Sequence, residues 1–214
     1  MTVDWLRENY ISQGKLGLKS DQGGLYPSTT QKVDAKEADK EIYMLDSGLG
    51  SNTPDIKAIR IAGWVLKYNP KINALETVVS CQSLPDGINI SKHTSRIFWS
   101  NMGSLTSTNN GSVDSANLDG SDLRTVLSPD MIHTPKQLVL DDRPDAQEDY
   151  FCDSEGMRIH RCNYNGSDHQ ILLKTGSFPN EDEKDMTRWC VGITIDPARK
   201  QLYWMQKGPS KAGH

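Results

Sequence analysis

The sequence is poor in cysteine, poor in aromatic residues and without a long apolar run. Its 214 residues include four cysteines, none of them in a Cys-x-x-Cys pair. The absence of such pairs argues against a dense disulfide or zinc framework, so we expect four reduced thiols. No apolar run approaches the roughly 18 residues that cross a bilayer, and no membrane partner is expected. Residues 1–10 lack the cationic and apolar regions of a secretory signal, which predicts a cytoplasmic protein.

An excess of charge of one sign is also missing. The chain has 24 basic and 28 acidic residues, a formal net charge of -4, which excludes the basic footprint of a nucleic-acid-binding protein. The nucleophile elbow, the P-loop, the dinucleotide fingerprint and the HExxH zinc motif are all absent from the sequence. Triad hydrolysis, phosphoryl transfer, nicotinamide chemistry and zincin proteolysis therefore have no support, and we predict neither a cofactor nor a metal.

What the sequence does contain is a repeat. The stretch Arg96–Asn101, rich in β-branched and aromatic residues, recurs in modified form at 41–46, 149–153 and 201–206, at intervals of about 50 residues. Around it, the second and third units each hold four segments of alternating apolar and polar residues, which predict half-buried antiparallel strands. These segments are 87–90, 96–101, 112–118 and 123–127, then 137–141, 149–153, 157–163 and 170–174. Asp119-Gly120 and Asn165-Gly166 supply matching hairpin turns.

Four meandering strands per repeat are typical of a β-propeller blade. The sequence therefore predicts an all-β protein, a β-propeller of four-stranded antiparallel blades. We place an N-terminal cap at 1–26 and a partial propeller at 27–214, with units at about 27–80, 81–127, 128–174 and 175–214. The fourth unit ends after two strands, leaving about three and a half blades. The chain is then either a fragment or completed by another chain, through self-association or missing C-terminal blades, because open strand edges are otherwise exposed.

These motifs resemble a known family. The aromatic pair in the second strand, the Asn-Leu-Asp-Gly-Ser turn and the Pro-x-x-apolar-x-apolar-Asp first strand look like the YWTD propeller of the LDL receptor class, which implies six blades in the closed ring. The sequence departs from the family where threonine and aspartate are expected, at Ser100-Asn101, Cys152-Asp153 and Met205-Gln206. Within the family, the chain is similar to a fungal natural-product group that includes hetero-Diels-Alderases.

Three functions follow from the resemblance. The first is a small-molecule enzyme of secondary metabolism, possessing a pocket that orients a small apolar molecule for a pericyclic reaction such as a hetero-Diels-Alder cyclisation. The second is a protein-binding module like the receptor propellers. The third is a metal-dependent lactonase or esterase, for which Asp86 and Asn89 are the available inner-strand ligands. We favour the first because the sequence shows neither a signal nor the cysteine framework of the receptors.

The candidate site lies on the propeller face where loops enter the inner strands, since scaffolds of this kind carry function on such loops. Catalytic residues are unknown, with His133 and Arg188 as candidate donors, although a lone loop histidine is also a common structural residue. Trp189 either stacks on a ligand or packs between blades, and Asp86 either binds a ligand or shapes its turn. Trp99 and Trp204 occupy one repeat position, which predicts packing. The ligand-binding candidates are Asp86, Lys136, Gln137 and Trp189.

Overall fold

The computed structural model describes residues 41–49, 61–104, 109–177, 179 and 185–208. The cap predicted for residues 1–26 lies outside them. The described strands are β1 (Ile42–Asp46), β2 (Gly63–Asn69), β3 (Ala74–Gln82), β4 (Pro85–Ser91), β5 (Arg96–Asn101), β6 (Ser112–Asn117), β7 (Arg124–Leu127), β8 (Pro135–Asp141), β9 (Glu148–Asp153), β10 (Arg158–Asn163), β11 (Gln170–Lys174), β12 (Cys190–Asp196) and β13 (Gln201–Gln206). No helix of these residues is long and apolar enough to cross a membrane.

The strands form four antiparallel sheets in chain order. Strands β1 to β3 make a three-stranded sheet, β4 to β7 and β8 to β11 make four-stranded sheets, and β12 pairs with β13. All eight strands predicted for the second and third units are confirmed, within three residues at their ends. The two matching turns also repeat their geometry, because Gly120 and Gly166 both adopt positive φ and donate to Asn117 and Asn163. The fold class is thus all-β, with four-stranded antiparallel sheets.

The core is divided among the seams between successive sheets. Val65, Val79 and Trp99 pack together between the first and second sheets, and a further cluster that includes Phe98 and Phe151 fills the next seam. Face-to-face packing of consecutive sheets is the arrangement of propeller blades. In it the first strands β4, β8 and β12 lie side by side, so they form the inner wall.

The two repeated tryptophans have different surroundings. Trp99 is fully buried and its Nε1 donates to Gln82 Oε1 at 2.8 Å, which confirms the predicted packing between blades. Trp204 was expected to pack in the same way, and that prediction is wrong: its side chain is 41% exposed. The reason is that the face of one blade is covered by the next, and the described residues contain no sheet after β13.

Candidate functional site

The inner strands bring together three of the predicted site residues. Asp86 at the start of β4 faces β8, where Lys136 Nζ lies 3.1 Å from Asp86 Oδ2 and Gln137 Nε2 lies 3.1 Å from Oδ1. Asp86 precedes Lys136 and Gln137 by 50 and 51 positions, and its strand belongs to the neighbouring sheet. We call Asp86, Lys136 and Gln137 the inner-wall cluster. Each oxygen of the carboxylate accepts from one side chain, so Asp86 does more than shape its turn.

Local irregularity explains how two neighbouring residues reach one carboxylate. Successive side chains of a regular strand point to opposite faces. The register shifts between Pro85 and Ile88 in the β4–β5 pair and between Pro135 and Leu138 in the β8–β9 pair. A bulge of this kind re-aims side chains at the end of a strand. The alternation is therefore broken at the point where the cluster forms.

The Lys136 side chain is partly exposed. Its exposed fraction is 23%, and Nζ lies 3.0 Å from Met102 Sδ in addition to Asp86. An ammonium has three N–H donors, and two of them are directed at these partners. The third donor is the group that a bound molecule on the inner wall would meet.

Ser100 links the strands of the inner wall, and in the sequence it stands out only as a departure from the family pattern. It is fully buried, its Oγ donates to the Lys136 carbonyl at 2.6 Å, and it accepts from Gly87 N at 2.9 Å. One hydroxyl thus links β4, β5 and β8. Its place in the repeated strand, where the family carries threonine, was the signal that could have identified it.

His133 is buried outside the inner-wall cluster. Its side chain is 2% exposed, and Nδ1 lies 2.7 Å from Thr134 Oγ1. The backbone N–H groups of His133 and Thr134 both donate to Asp153, at 3.1 and 2.6 Å. These contacts give His133 a structural place at the entry to β8.

Asp153, which accepts these two hydrogen bonds, is a buried carboxylate that stays ionised. Burial by itself would raise its pKa, but His160 beside it, the Arg158 guanidinium and the backbone donors hold the pKa at about 2. His160 Nε2 is 3.4 Å from Asp153, long for a hydrogen bond, and burial lowers the pKa of this imidazole. We therefore assign the main charge contribution to Arg158, whose Nη2 lies 2.5 Å from the carboxylate. Asp153 and Arg158 form a buried ion pair.

Arg188 and Trp189 lie at the entry to β12 and have their own partners. Arg188 ends a short 3-10 helix (Met186–Arg188), and its guanidinium binds Asp185 Oδ2 at 3.2 Å and the Thr175 carbonyl at 2.9 Å. Trp189 is half-buried, and Lys207 Nζ stands 4.9 Å above its ring. Stacking of a ligand on that face of Trp189 would have to displace Lys207.

A divalent metal fits the inner-wall cluster poorly. Asp86 is already paired with the Lys136 ammonium, whose charge opposes that of a cation. Asn89 Oδ1 accepts from the neighbouring Ile90 N–H at 2.8 Å. In the part of the chain that the structure describes, no three His, Cys, Asp or Glu side chains are grouped to hold a metal ion. The wall can instead donate hydrogen bonds to a carbonyl or hydroxyl oxygen.

Fold and site together define an all-β protein built of propeller-type blades with a polar inner wall. No protein-family model matches the chain. It is 40% identical over 211 residues to the 3-hydroxyacyl-CoA dehydrogenase-like protein LAM1 of Cochliobolus heterostrophus, covering 98% of this chain and 43% of that protein. It is 38% identical over 176 residues to the low-density lipoprotein receptor-related protein 1 of Pyricularia oryzae, covering 80% and 55%. The chain thus spans about half the length of these curated relatives.

Two solved structures share the fold. The nidogen/laminin complex contains a chain with a TM-score of 0.50 and 20% identity, covering 66% of this chain and 49% of that one. The gluconolactonase XC5397 of Xanthomonas campestris has a TM-score of 0.50 and 16% identity, covering 78% and 51%. At these identities the similarity shows the propeller fold alone.

Proposed function

We propose that the protein is a small-molecule enzyme of secondary metabolism that uses the inner wall of its propeller to orient reactants, as a hetero-Diels-Alderase does. The observation that carries the proposal is the inner-wall cluster, in which Asp86 on β4 holds two donors of the neighbouring first strand β8, Lys136 and Gln137. Its ligand is a small, largely apolar molecule with a carbonyl oxygen.

The reaction needs orientation and polarisation. Lys136 donates its remaining N–H to the carbonyl oxygen of one reactant, which makes that reactant more electrophilic, while Asp86 keeps the ammonium in place. Four π electrons of a diene and two of its partner, three π bonds in all, then become two new σ bonds and one new π bond, without a leaving group. Orientation of two reactants is worth roughly 7–11 kcal/mol in favourable cases. No cofactor is required by such a step.

Replacement of Lys136 by methionine in the source organism tests the proposal. Lys136→Met keeps the length of the side chain but removes its donors, so we expect one metabolite to fall by at least about tenfold. Mass spectrometry of extracts should show that its mass equals the summed masses of the accumulating reactants, because a cycloaddition loses no atoms. Lys174→Met, on the exposed strand β11, is the matched control.

Three outcomes would contradict parts of this proposal. An unchanged metabolite profile after deletion of the gene would show that the protein is not an enzyme of secondary metabolism. If the metabolite disappears on deletion of the gene but is made normally by Lys136→Met, Lys136 is not part of the site. A product heavier than its precursor by one water would indicate hydrolysis, as in the lactonase hypothesis, which the pairing of Asp86 with Lys136 disfavours.

A protein-binding module is the second candidate, supported by the relative named as an LDL receptor-related protein. Capture of a defined protein by the full chain, with unchanged metabolites on deletion, would favour it. The cytoplasmic location stays a prediction, and cell fractionation tests it.

A further inference from the structure

Two histidines of the third sheet are joined by a hydrogen bond between their rings. His160 lies on β10 and His169 in the connection from β10 to β11, and His160 Nδ1 is 2.8 Å from His169 Nε2. The two rings are nearly parallel, with centroids 5.0 Å apart, and Phe151 of β9 stacks on the His160 ring at 4.9 Å. We call His160 and His169 the histidine pair.

The histidine pair connects the surface to a buried ion pair. His169 is partly exposed, whereas His160 is fully buried. His160 Nε2 faces Asp153 Oδ2 at 3.4 Å, and the same carboxylate is paired with Arg158. A proton that reaches His169 from solvent therefore comes within one side chain of the ion pair.

The surroundings of the histidine pair hold little charge. Asp153 on β9 and Arg158 on β10 are the charged groups that act on both imidazoles. On β11, Ile171 stands opposite the buried histidine, and the second sheet packs on this region with apolar side chains. His133 reaches Asp153 with its backbone N–H, but its ring nitrogen Nδ1 bonds to a neighbouring threonine. Among the described residues, a charge added to the pair thus lies between an ion pair and apolar side chains.

The partner of each ring nitrogen determines where the hydrogens lie in the neutral pair. His160 Nε2 faces the Asp153 carboxylate, which favours a hydrogen on this nitrogen. Nδ1 of the neutral His160 ring is then an acceptor, and His169 Nε2 donates to it. One added proton on His169 keeps this bond, because His160 Nδ1 still accepts. When both rings are charged, both facing nitrogens carry a hydrogen and the rings repel each other.

We propose that the histidine pair is an acid-operated latch, which holds the connection between β10 and β11 against β9 at neutral pH and releases it when both imidazoles are protonated. The latch is independent of the proposed enzymatic function, since neither histidine belongs to the inner-wall cluster.

Burial sets the pH range of the latch. It lowers the pKa of both histidines, and Asp153 opposes this change without cancelling it. A histidine in an open or unfolded chain has a pKa of roughly 6.5. The contribution of the latch to stability is therefore complete above about pH 6.5, and it is lost as the pH falls through the lowered pKa values.

Hydrogen exchange followed by mass spectrometry tests the latch in the full chain at pH 7.5 and 5.0, with correction for the intrinsic exchange rates. We expect protection of the amides in 158–174 to fall by at least about tenfold on acidification, because each pH unit below about 6.5 favours the open, protonated form by up to tenfold per histidine. Protection in the sheet of β4 to β7 should stay unchanged, since the opening is local. The Asp153 pKa of about 2 keeps its carboxylate charged at both pH values.

A substitution that removes the titration separates the latch from other effects of acid. His169→Gln keeps a side-chain N–H near His160 Nδ1, and its amide can turn its oxygen toward a charged His160, so acidification should cost it much less protection. His93→Gln, at an exposed position between β4 and β5, is the matched control and should behave as the wild type. Unchanged protection in the wild type, or an equal loss in His169→Gln, would overturn the proposal.

Nitrogen NMR of the histidine rings in the wild-type chain keeps the test valid if His169→Gln does not fold. At pH 7.5 we expect a hydrogen on Nε2 of both histidines and none on His160 Nδ1. On acidification the two rings should titrate together in two steps, because interacting groups share their protons. A hydrogen on His160 Nδ1 at pH 7.5, or titration of His169 in one step independent of His160, would contradict the latch.

Discussion

The last residue of the repeated strand is Asn101 in β5, Asp153 in β9 and Gln206 in β13. Its side chain bonds to the segment that precedes the inner strand, even though the residue type changes. Asp153 accepts from the backbone N–H of Thr134 at 2.6 Å. At the corresponding place in β13, Gln206 Nε2 donates to the Thr187 carbonyl at 2.9 Å. In β5 the position is Asn101, whose Nδ2 donates at 3.1 Å to Gln82 Oε1, three residues before the inner strand β4 begins. The role of the position is retained because an amide and a carboxylate have similar reach and complementary hydrogen-bonding groups.

The low pKa of Asp153 makes a prediction about acid stability. Its pKa is about 2 in the folded chain and roughly 3.9 when unfolded, so its stabilising contribution is present above about pH 4 and is lost as the pH falls toward 2. The difference corresponds to about 2–3 kcal/mol of unfolding free energy. We expect Asp153→Asn to lose about this amount at pH 7 and to show a weaker pH dependence in that window.

Urea unfolding followed by tryptophan fluorescence at pH 7, 4, 3 and 2 measures this difference. Asp145→Asn, at an exposed position in the β8–β9 connection, is the control and should follow the wild type. Parallel pH curves for wild type and Asp153→Asn would show that the ion pair with Arg158 does not set acid stability.

At the scale of elements, the spacing of β4 and β8 depends on a residue without a side chain. A Cβ atom on Gly87 would stand 2.5 Å from the Lys136 carbonyl oxygen and 2.9 Å from Gln137 Cα. Real Cβ atoms do not approach backbone so closely, so any side chain at this position would push the two inner strands apart. The inner-wall cluster exists because Gly87 allows this approach.

Gly87→Ala should therefore destabilise the protein by about 1–3 kcal/mol through overpacking, and displace Lys136 from Asp86. Thermal unfolding measured by circular dichroism gives the stability difference. Gly208→Ala is the matched control, since a Cβ there would meet nothing within 4 Å. A Gly87→Ala variant as stable as the control would mean that the strands can separate without cost.

At the scale of the whole molecule, the last sheet leaves an apolar surface. Tyr203, Trp204 and Met205 on β13 are 51%, 41% and 66% exposed. Adjacent exposed apolar residues of this kind usually mark an interface. We therefore expect self-association of the chain through β13, with the strands of a longer polypeptide as the alternative cover.

Sedimentation of the full chain over a range of concentrations tests this expectation. Association should appear in the wild type and weaken in Met205→Lys, because a charge replaces the most exposed of the three apolar side chains. Ile171→Lys changes an exposed apolar residue on β11 and should retain association. A wild-type chain that remains monomeric throughout would contradict self-association.

Part of the predicted set of site residues lies together in the structure, while its role in binding stays a prediction. Sequence reasoning placed Asp86, Lys136 and Gln137 on the entry side of the inner strands, and the structure joins them in one cluster. It grouped His133 and Arg188 with them because all precede or begin an inner strand. The structure gives those two residues other partners, which a strand pattern does not encode.

The sequence by itself determined the strands of the second and third units, their order within each sheet and the tight turns, because alternation and Asp-Gly or Asn-Gly pairs act through local backbone geometry. Only the tertiary structure decided which side chains meet between sheets. The contacts of Asp86 with Lys136, of Ser100 with two inner strands, and of Asn101 with Asp114 depend on bulges and on how the sheets pack. Those arrangements are set by long-range packing, which local sequence patterns do not encode.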